Sequence, residues 1–230
     1  MKEKPKMSKG DIAHKIVKAG LTMVPLAGSP AAELFNSIIT PPLAKRRDEW
    51  IESIIMDLKK LEEKIEDFDI ENLSKNEMFI TAVMHASRSA IRNHQKEKLE
   101  ALRNAVLNST SRNAPDEDLQ LMFLNWVDEL TPWHLRILKF FENPKKWFEK
   151  NNMNLPNLEF GAPSHALTKA YTELNNQRNF YDQIVSDLHS RGLLNIESLH
   201  TTMTRQGVFA SRTSDMGNQF IQFITSPFED

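Results

Sequence analysis

Apolar residues recur at intervals of three and four through most of this chain, and that periodicity limits what it can fold into more than any other feature. Trp50, Ile54, Leu58, Leu61 and Ile65 lie on one stripe, with Ile51 and Ile55 beside it. Leu119, Met122, Phe123, Trp126, Val127 and Leu130 repeat the pattern, as do Met216, Phe220, Ile221 and Ile224 near the end. Only 7 glycines and 2 tyrosines occur in 230 residues, beside abundant Leu, Ile, Glu, Lys and Ala, a balance that favours helix over sheet. The expected fold is mainly α: a multi-helix N-terminal domain and a small winged-helix-like C-terminal module with a short β-hairpin.

The punctuation supports this reading. Residues 1–9 carry Lys2, Lys4, Lys6 and Lys9 against Glu3 alone, the pattern of a basic solvated tail. A short helix is expected over Asp11–Lys18. Another is expected over Ala31–Ile39, opened by Ser29-Pro30 and stopped by Thr40-Pro41-Pro42. The next should run from Leu43 to about Ile65. Ser74-Lys-Asn-Glu77 reads as a capping box, starting a helix whose inner face is Phe79, Ile80, Val83, Met84 and Ile91 and whose pattern continues to Asn108. After a turn at Asn113-Ala-Pro115 and the Leu119–Leu130 helix, Thr131-Pro132 signals another, closed by Pro144.

Asn151–Pro163, rich in Asn and Pro, has linker composition and is taken to separate residues 1–150 from a module at 164–230. In that module a helix over Phe180–His189 should end at Arg191-Gly192. Leu193–Met203 and Val208–Ser211 are β-permissive, with Thr204–Gly207 as the expected hairpin turn. A last helix should span Ser214–Ile224, with Gly217 permitting close packing.

Composition bounds function as well. The chain has no cysteine, which excludes disulfides and thiolate metal sites and fits a reducing, cytoplasmic setting. No apolar run reaches the ~18 residues of a membrane-spanning helix. Histidine pairs at zinc-binding spacing, a phosphate-binding glycine loop, a dinucleotide fingerprint and a nucleophile elbow are all missing from the sequence. No cofactor or metal is expected, and these absences favour a non-catalytic chain while leaving one enzymatic alternative open.

Two basic clusters remain as candidate sites. Arg88-Ser-Ala-Ile-Arg-Asn-His94 resembles the Arg–His spacing of the HEPN ribonuclease family, which implies acid–base and phosphate-stabilising roles for Arg88 and His94. The expected reading is a solvated helix face, with catalysis the alternative. Lys45-Arg46-Arg47 is read at the start of the long helix, where positive charge opposes the helix dipole, and is the candidate binding cluster. It flanks the apolar segment 19–43, which is expected either to join the helical core or to dock peripherally on an anionic membrane. Residues 151–230 hold five basic residues (Lys169, Arg178, Arg191, Arg205, Arg212) against eight acidic, a net charge of −3. Such a module suits a protein partner better than nucleic acid. A homodimer is compatible with the sequence.

Asn76-Glu-Met-Phe79, Glu100-Ala-Leu-Arg-Asn-Ala-Val-Leu-Asn108 and Leu130-Thr-Pro-Trp-His-Leu-Arg-Ile-Leu138 resemble segments of the bacterial abortive-infection alpha family. Leu188-His-Ser-Arg-Gly-Leu-Leu194 and Gly217-Asn-Gln-Phe-Ile221 resemble its closing segment. The resemblance spans roughly 43–224. It implies a mainly helical protein linked to phage defence and carries no functional residues over.

Overall fold

The computed structural model describes residues 30–66, 68–111 and 113–228, with the backbone alone for residues 30–42 and 44. The expected helix at Asp11–Lys18 and the segment 19–29 lie outside these residues. The chain divides into two compact units, Met1–Glu49 and Trp50–Asp230. The core and the ring surface described below belong to the second, whereas Lys45, Arg46 and Arg47 belong to the first.

The described residues are mainly helical, with a small antiparallel pair of strands. In order the elements are α1 (Pro30–Lys64), α2 (Ile70–Leu73), α3 (Glu77–Arg92), α4 (Lys96–Asn108), α5 (Glu117–Glu129), α6 (Pro132–Glu142) and α7 (Pro144–Lys150). Then follow β1 (Phe160–Gly161), α8 (Pro163–Ala170), a 3-10 turn (Thr172–Leu174), α9 (Arg178–Ser190), β2 (Met203–Thr204), α10 (Arg205–Val208) and α11 (Asp215–Phe223).

α1 corrects the expected break at Thr40-Pro41-Pro42, because helical backbone continues through it. Each proline removes one donor and presses on the preceding turn, yet its fixed φ is helical, so the loss stays local. Lys45-Arg46-Arg47 therefore lies inside α1 rather than at its start, and the argument from the helix terminus falls. Trp50, Ile54, Leu58 and Leu61 are buried as the stripe predicts, whereas Ile51, Ile55 and Ile65 are exposed.

The capping box is also displaced. Asp69 caps the single turn α2, whose last turn takes Ser74 as its C-cap, and Asn76 accepts the Phe79 N–H at 2.9 Å to open α3. The inner face of α3 is Met78, Ala82, Ala86, Ser89 and Ala90, while Ile80 and Met84, expected inside, are exposed. Alanines let α4 and α5 approach closely, and of the expected inner residues Phe79 and Val83 pack partly buried against this core. The helix expected to run on to Asn108 breaks at Asn93–Gln95. There the seven residues from Arg92 to Lys98 include no apolar one, and the Asn93 amide donates back to the Ser89 carbonyl at 2.9 Å. α3 folds onto α4 as a helical hairpin.

α6 is the axle of the second unit, packing against α4, α7, α9 and α11. Leu135, Ile137, Leu138, Phe140 and Phe141 are all buried along it, while Arg136, Lys139 and Glu142, three apart, keep one narrow polar face. Thr131-Pro132 opens this helix, and Pro144, with Asn143 as cap, opens the next. Phe123 of α5 meets Phe220 and Phe223 of α11 at centroid distances of 5.2 and 5.7 Å. Buried residues before and after Asn151–Pro163 belong to one hydrophobic cluster.

β1 pairs antiparallel with β2, Phe160 opposite Thr204 and Gly161 opposite Met203. Thr204–Gly207 is thus no hairpin turn, which corrects that placement: the Thr204 hydroxyl accepts the Gly207 N–H and caps α10 instead. Among the described residues the two β-permissive stretches form no ladder with each other; an isolated bridge joins Leu194 of the first to Thr213, two residues past the second. α9 ends in a Schellman motif on Gly192, φ +72°, with the Leu193 N–H bonded to the Leu188 carbonyl at 2.9 Å. Ser214 caps α11, and a Cβ at Gly217 would overlap the Leu193 carbonyl oxygen, which fixes how closely α11 seats on the end of α9.

Candidate interaction surface

Arg88 and His94 are both exposed. Arg88 sits in the last turn of α3, whereas His94 lies beyond the helix in the connection to α4, so one helix does not present the pair. Neither side chain has a hydrogen-bond or ion-pair partner among the described residues. The residues between and around them are committed to structure. Ser89 donates to Asp128 Oδ1 at 2.5 Å, Arg92 to Asp128 Oδ2 at 3.1 Å, and the buried Lys98 to the Asp128 carbonyl at 2.7 Å. Burial pushes the Lys98 amine below its usual pKa, against the pull of the Asp128 carboxylate.

Further basic residues on α4 are likewise paired, Lys96 with Glu100 at 3.7 Å and Arg103 with the buried Asp57 at 3.2 Å. Paired cations of this kind leave little free charge to neutralise phosphates. Lys45, Arg46 and Arg47 are exposed on α1. Lys45 pairs with Glu49 at 3.6 Å and Arg47 with Asp48 at 2.9 Å. Among the described residues no helix is long and apolar enough to cross a membrane.

A threonine, a histidine and an aspartate converge at the start of α6. The Thr131 hydroxyl lies 2.8 Å from His134 Nδ1, and His134 Nε2 lies 3.4 Å from Asp187 Oδ2 on α9. The arrangement has the outline of a nucleophile, base and orienting acid. It lacks the base, because the Thr131 backbone N–H already donates to Nδ1 at 3.2 Å. The ring acts as the third residue of a capping box, a place usually held by Glu or Gln. Ala162-Pro163-Ser164-His165 repeats the device at α8, with the Ala162 N–H donating to His165 Nδ1 at 3.2 Å.

The surface with the composition of a binding site is a row of rings from the four helices α6 to α9. Trp147 of α7 lies against Tyr171, the C-cap of α8, at 5.0 Å and a 56° tilt; Tyr171 meets Trp133 of α6 edge-on at 5.5 Å; Trp133 meets Phe180 of α9 at 6.3 Å and 90°. Arg136 lies over the Trp133 ring, 5.0 Å from its centroid, and is fixed by an ion pair to Glu97 of α4. The Arg136 hydrogen bond holds the Glu97 carboxyl below its usual range. Burial pushes the Tyr171 phenol up to about 12. Trp133, Tyr171 and Trp147 are half-buried, and Phe180 is 43% exposed.

Sequence reading missed this row. Periodicity places Trp133 and Phe180 on separate helices and gives Tyr171 no role, since only the packing of α6 on α9 aligns the three rings. Half-exposed Trp, Tyr and Arg are the residues that most often anchor protein interfaces.

A polar cleft of about 170 Å³ among the described residues is lined by Asn108, Asn113, Pro115, Gln219 and Gln222 among others, below the ~300 Å³ at which organic-ligand pockets begin. Among the described residues no group of three His, Asp or Glu could hold a metal.

No protein-family model matches this chain, and comparison with curated proteins and with solved structures finds no match either.

Proposed function

We propose that this chain is a non-catalytic interaction protein of a bacterial phage-defence system of the abortive-infection kind, binding a protein partner through its second unit. The observation that carries the binding role is the ring row Trp147, Tyr171, Trp133 and Phe180 with Arg136 stacked on it. It offers rigid aromatic area already ordered by the fold, so little conformational entropy is lost on docking. The link to defence rests on the short sequence segments that resemble the abortive-infection alpha family. Exposed Ile80 and Met84 on α3 and Ile51, Ile55 and Met56 on α1 supply further apolar area.

The test is co-purification with neighbouring gene products, paired with phage plating on cells that carry the gene. The wild-type chain should retain a partner and reduce plating, and Phe180→Asp should lose both while keeping the far-ultraviolet spectrum of a folded helical protein. Arg88→Ala with His94→Ala should leave protection intact. A chain that protects without any partner, or loses protection with that double substitution while still folded, would refute the reading.

A further inference from the structure

His134 is buried, and each of its ring nitrogens faces one fixed group. Nδ1 receives the Thr131 backbone N–H at 3.2 Å and lies 2.8 Å from the Thr131 hydroxyl. A backbone amide can only donate, so Nδ1 carries no proton and the ring is neutral with its hydrogen on Nε2. That Nε2–H points to Asp187 of α9 at 3.4 Å. The charged groups facing the ring are Asp187 and Arg191, both from α9 and its cap. Arg191 is held by Glu129, the last residue of α5, at 2.8 Å, and Asp187 also accepts from Gln183 at 2.8 Å. One imidazole thus closes the N-terminus of α6 and ties that helix to α9.

We propose that His134 is a proton-operated latch between α6 and α9: a proton taken up from solvent at Nδ1 turns the cap's acceptor into a donor, which can meet the Thr131 hydroxyl oxygen 2.8 Å away but no longer accepts the Thr131 N–H. The cap of α6 is then lost, and the first turn of α6 loosens from α9. Burial lowers the His134 pKa below the usual histidine value, with Asp187 pulling the other way. The folded chain therefore binds this proton less readily than the unfolded chain. The latch is fully closed above the ordinary histidine pKa of ~6.5 and opens as pH falls below it.

Two measurements on the full chain test this. In nitrogen-15 spectra the His134 ring should show the Nε2–H tautomer at pH 7.5 and titrate below the ordinary histidine value. Amide exchange in the first turn of α6 should speed up about tenfold as His134 titrates, the scale of a lost cap. In His134→Gln the glutamine oxygen can take the Thr131 N–H as in an ordinary capping box, so exchange there should become insensitive to pH. His94→Gln, a change at a residue with no partner, should keep the wild-type response. An unchanged pH response in His134→Gln would overturn the latch. If that variant fails to fold, the wild-type spectra decide: an Nδ1–H tautomer, or loosening of α6 that does not follow the His134 titration, overturns it equally.

Discussion

The side-chain amide of Asn108 donates to the backbone carbonyl of Phe223 at 2.8 Å, joining positions 115 apart in sequence. The same amide reaches the Thr225 carbonyl at 2.8 Å, and one turn earlier on α4 Asn104 donates to the Ile224 carbonyl at 3.1 Å. The last carbonyls of a helix have no partner within it. Here two asparagines spaced four apart on α4 satisfy those of α11.

Replacing Asn108 by Ala should therefore lower stability by about 1–3 kcal/mol, the penalty for orphaned acceptors, and raise amide exchange at the end of α11 first. Asn108→Asp should be worse than Asn108→Ala, because a carboxylate would face the same carbonyls. Chemical denaturation with exchange detection checks both, and an equal effect of the two changes would contradict the assignment.

Gly217→Ala tests the seat of α11 with an unusual sign. In a free helix the change would stabilise by about 1 kcal/mol. Against the Leu193 carbonyl it forces the backbone apart and should cost about 1–3 kcal/mol instead. A thermal melt distinguishes the two directions at once.

Tyr171 predicts an alkaline effect. Its phenol is pushed up to about 12 by burial, so the folded chain keeps a proton that the unfolded chain loses near pH 10. Its contribution to stability is fully present below pH 10 and is lost as pH rises from there towards 12. Tyr181 is the other tyrosine, so spectrophotometric titration of Tyr181→Phe isolates Tyr171 and should give a midpoint near 12. In Tyr171→Phe the corresponding loss of stability with pH should vanish.

Asp128 and Ser89 should be strongly coupled. The hydroxyl of the buried Ser89 reaches this carboxylate at 2.5 Å, and Asp128→Ala would strand it. In a double-mutant cycle with Ser89→Ala the coupling energy should fall within about 0.5–3 kcal/mol, and additive effects would show that the contact contributes nothing.

Where the fold was legible, the signal was local. The buried stripe Trp50–Leu61, the Thr131-Pro132 start of α6, Gly192 after α9 and Ser214 before α11 each depend on neighbours within a turn or two. What sequence reading missed needed distant partners or an unfamiliar donor set. Ser74 looks like a cap until Asp69 is seen to start α2, and β1 cannot find β2 without α8 and α9 folding between them. His134 closes a box in a role normally given to Glu. The ring row was not legible at all, because Trp147, Tyr171, Trp133 and Phe180 become neighbours only through tertiary packing.

The β1–β2 pair has a topological consequence. It fastens Phe160–Gly161 to Met203–Thr204, so everything from α8 to α9 is a closed loop whose two ends are already held together. Within it Asn176 adopts a left-handed backbone conformation at φ +63° in an exposed turn. A protease cut at that turn would therefore yield a nicked molecule rather than two fragments, its halves staying clasped at the strands and still sharing the core.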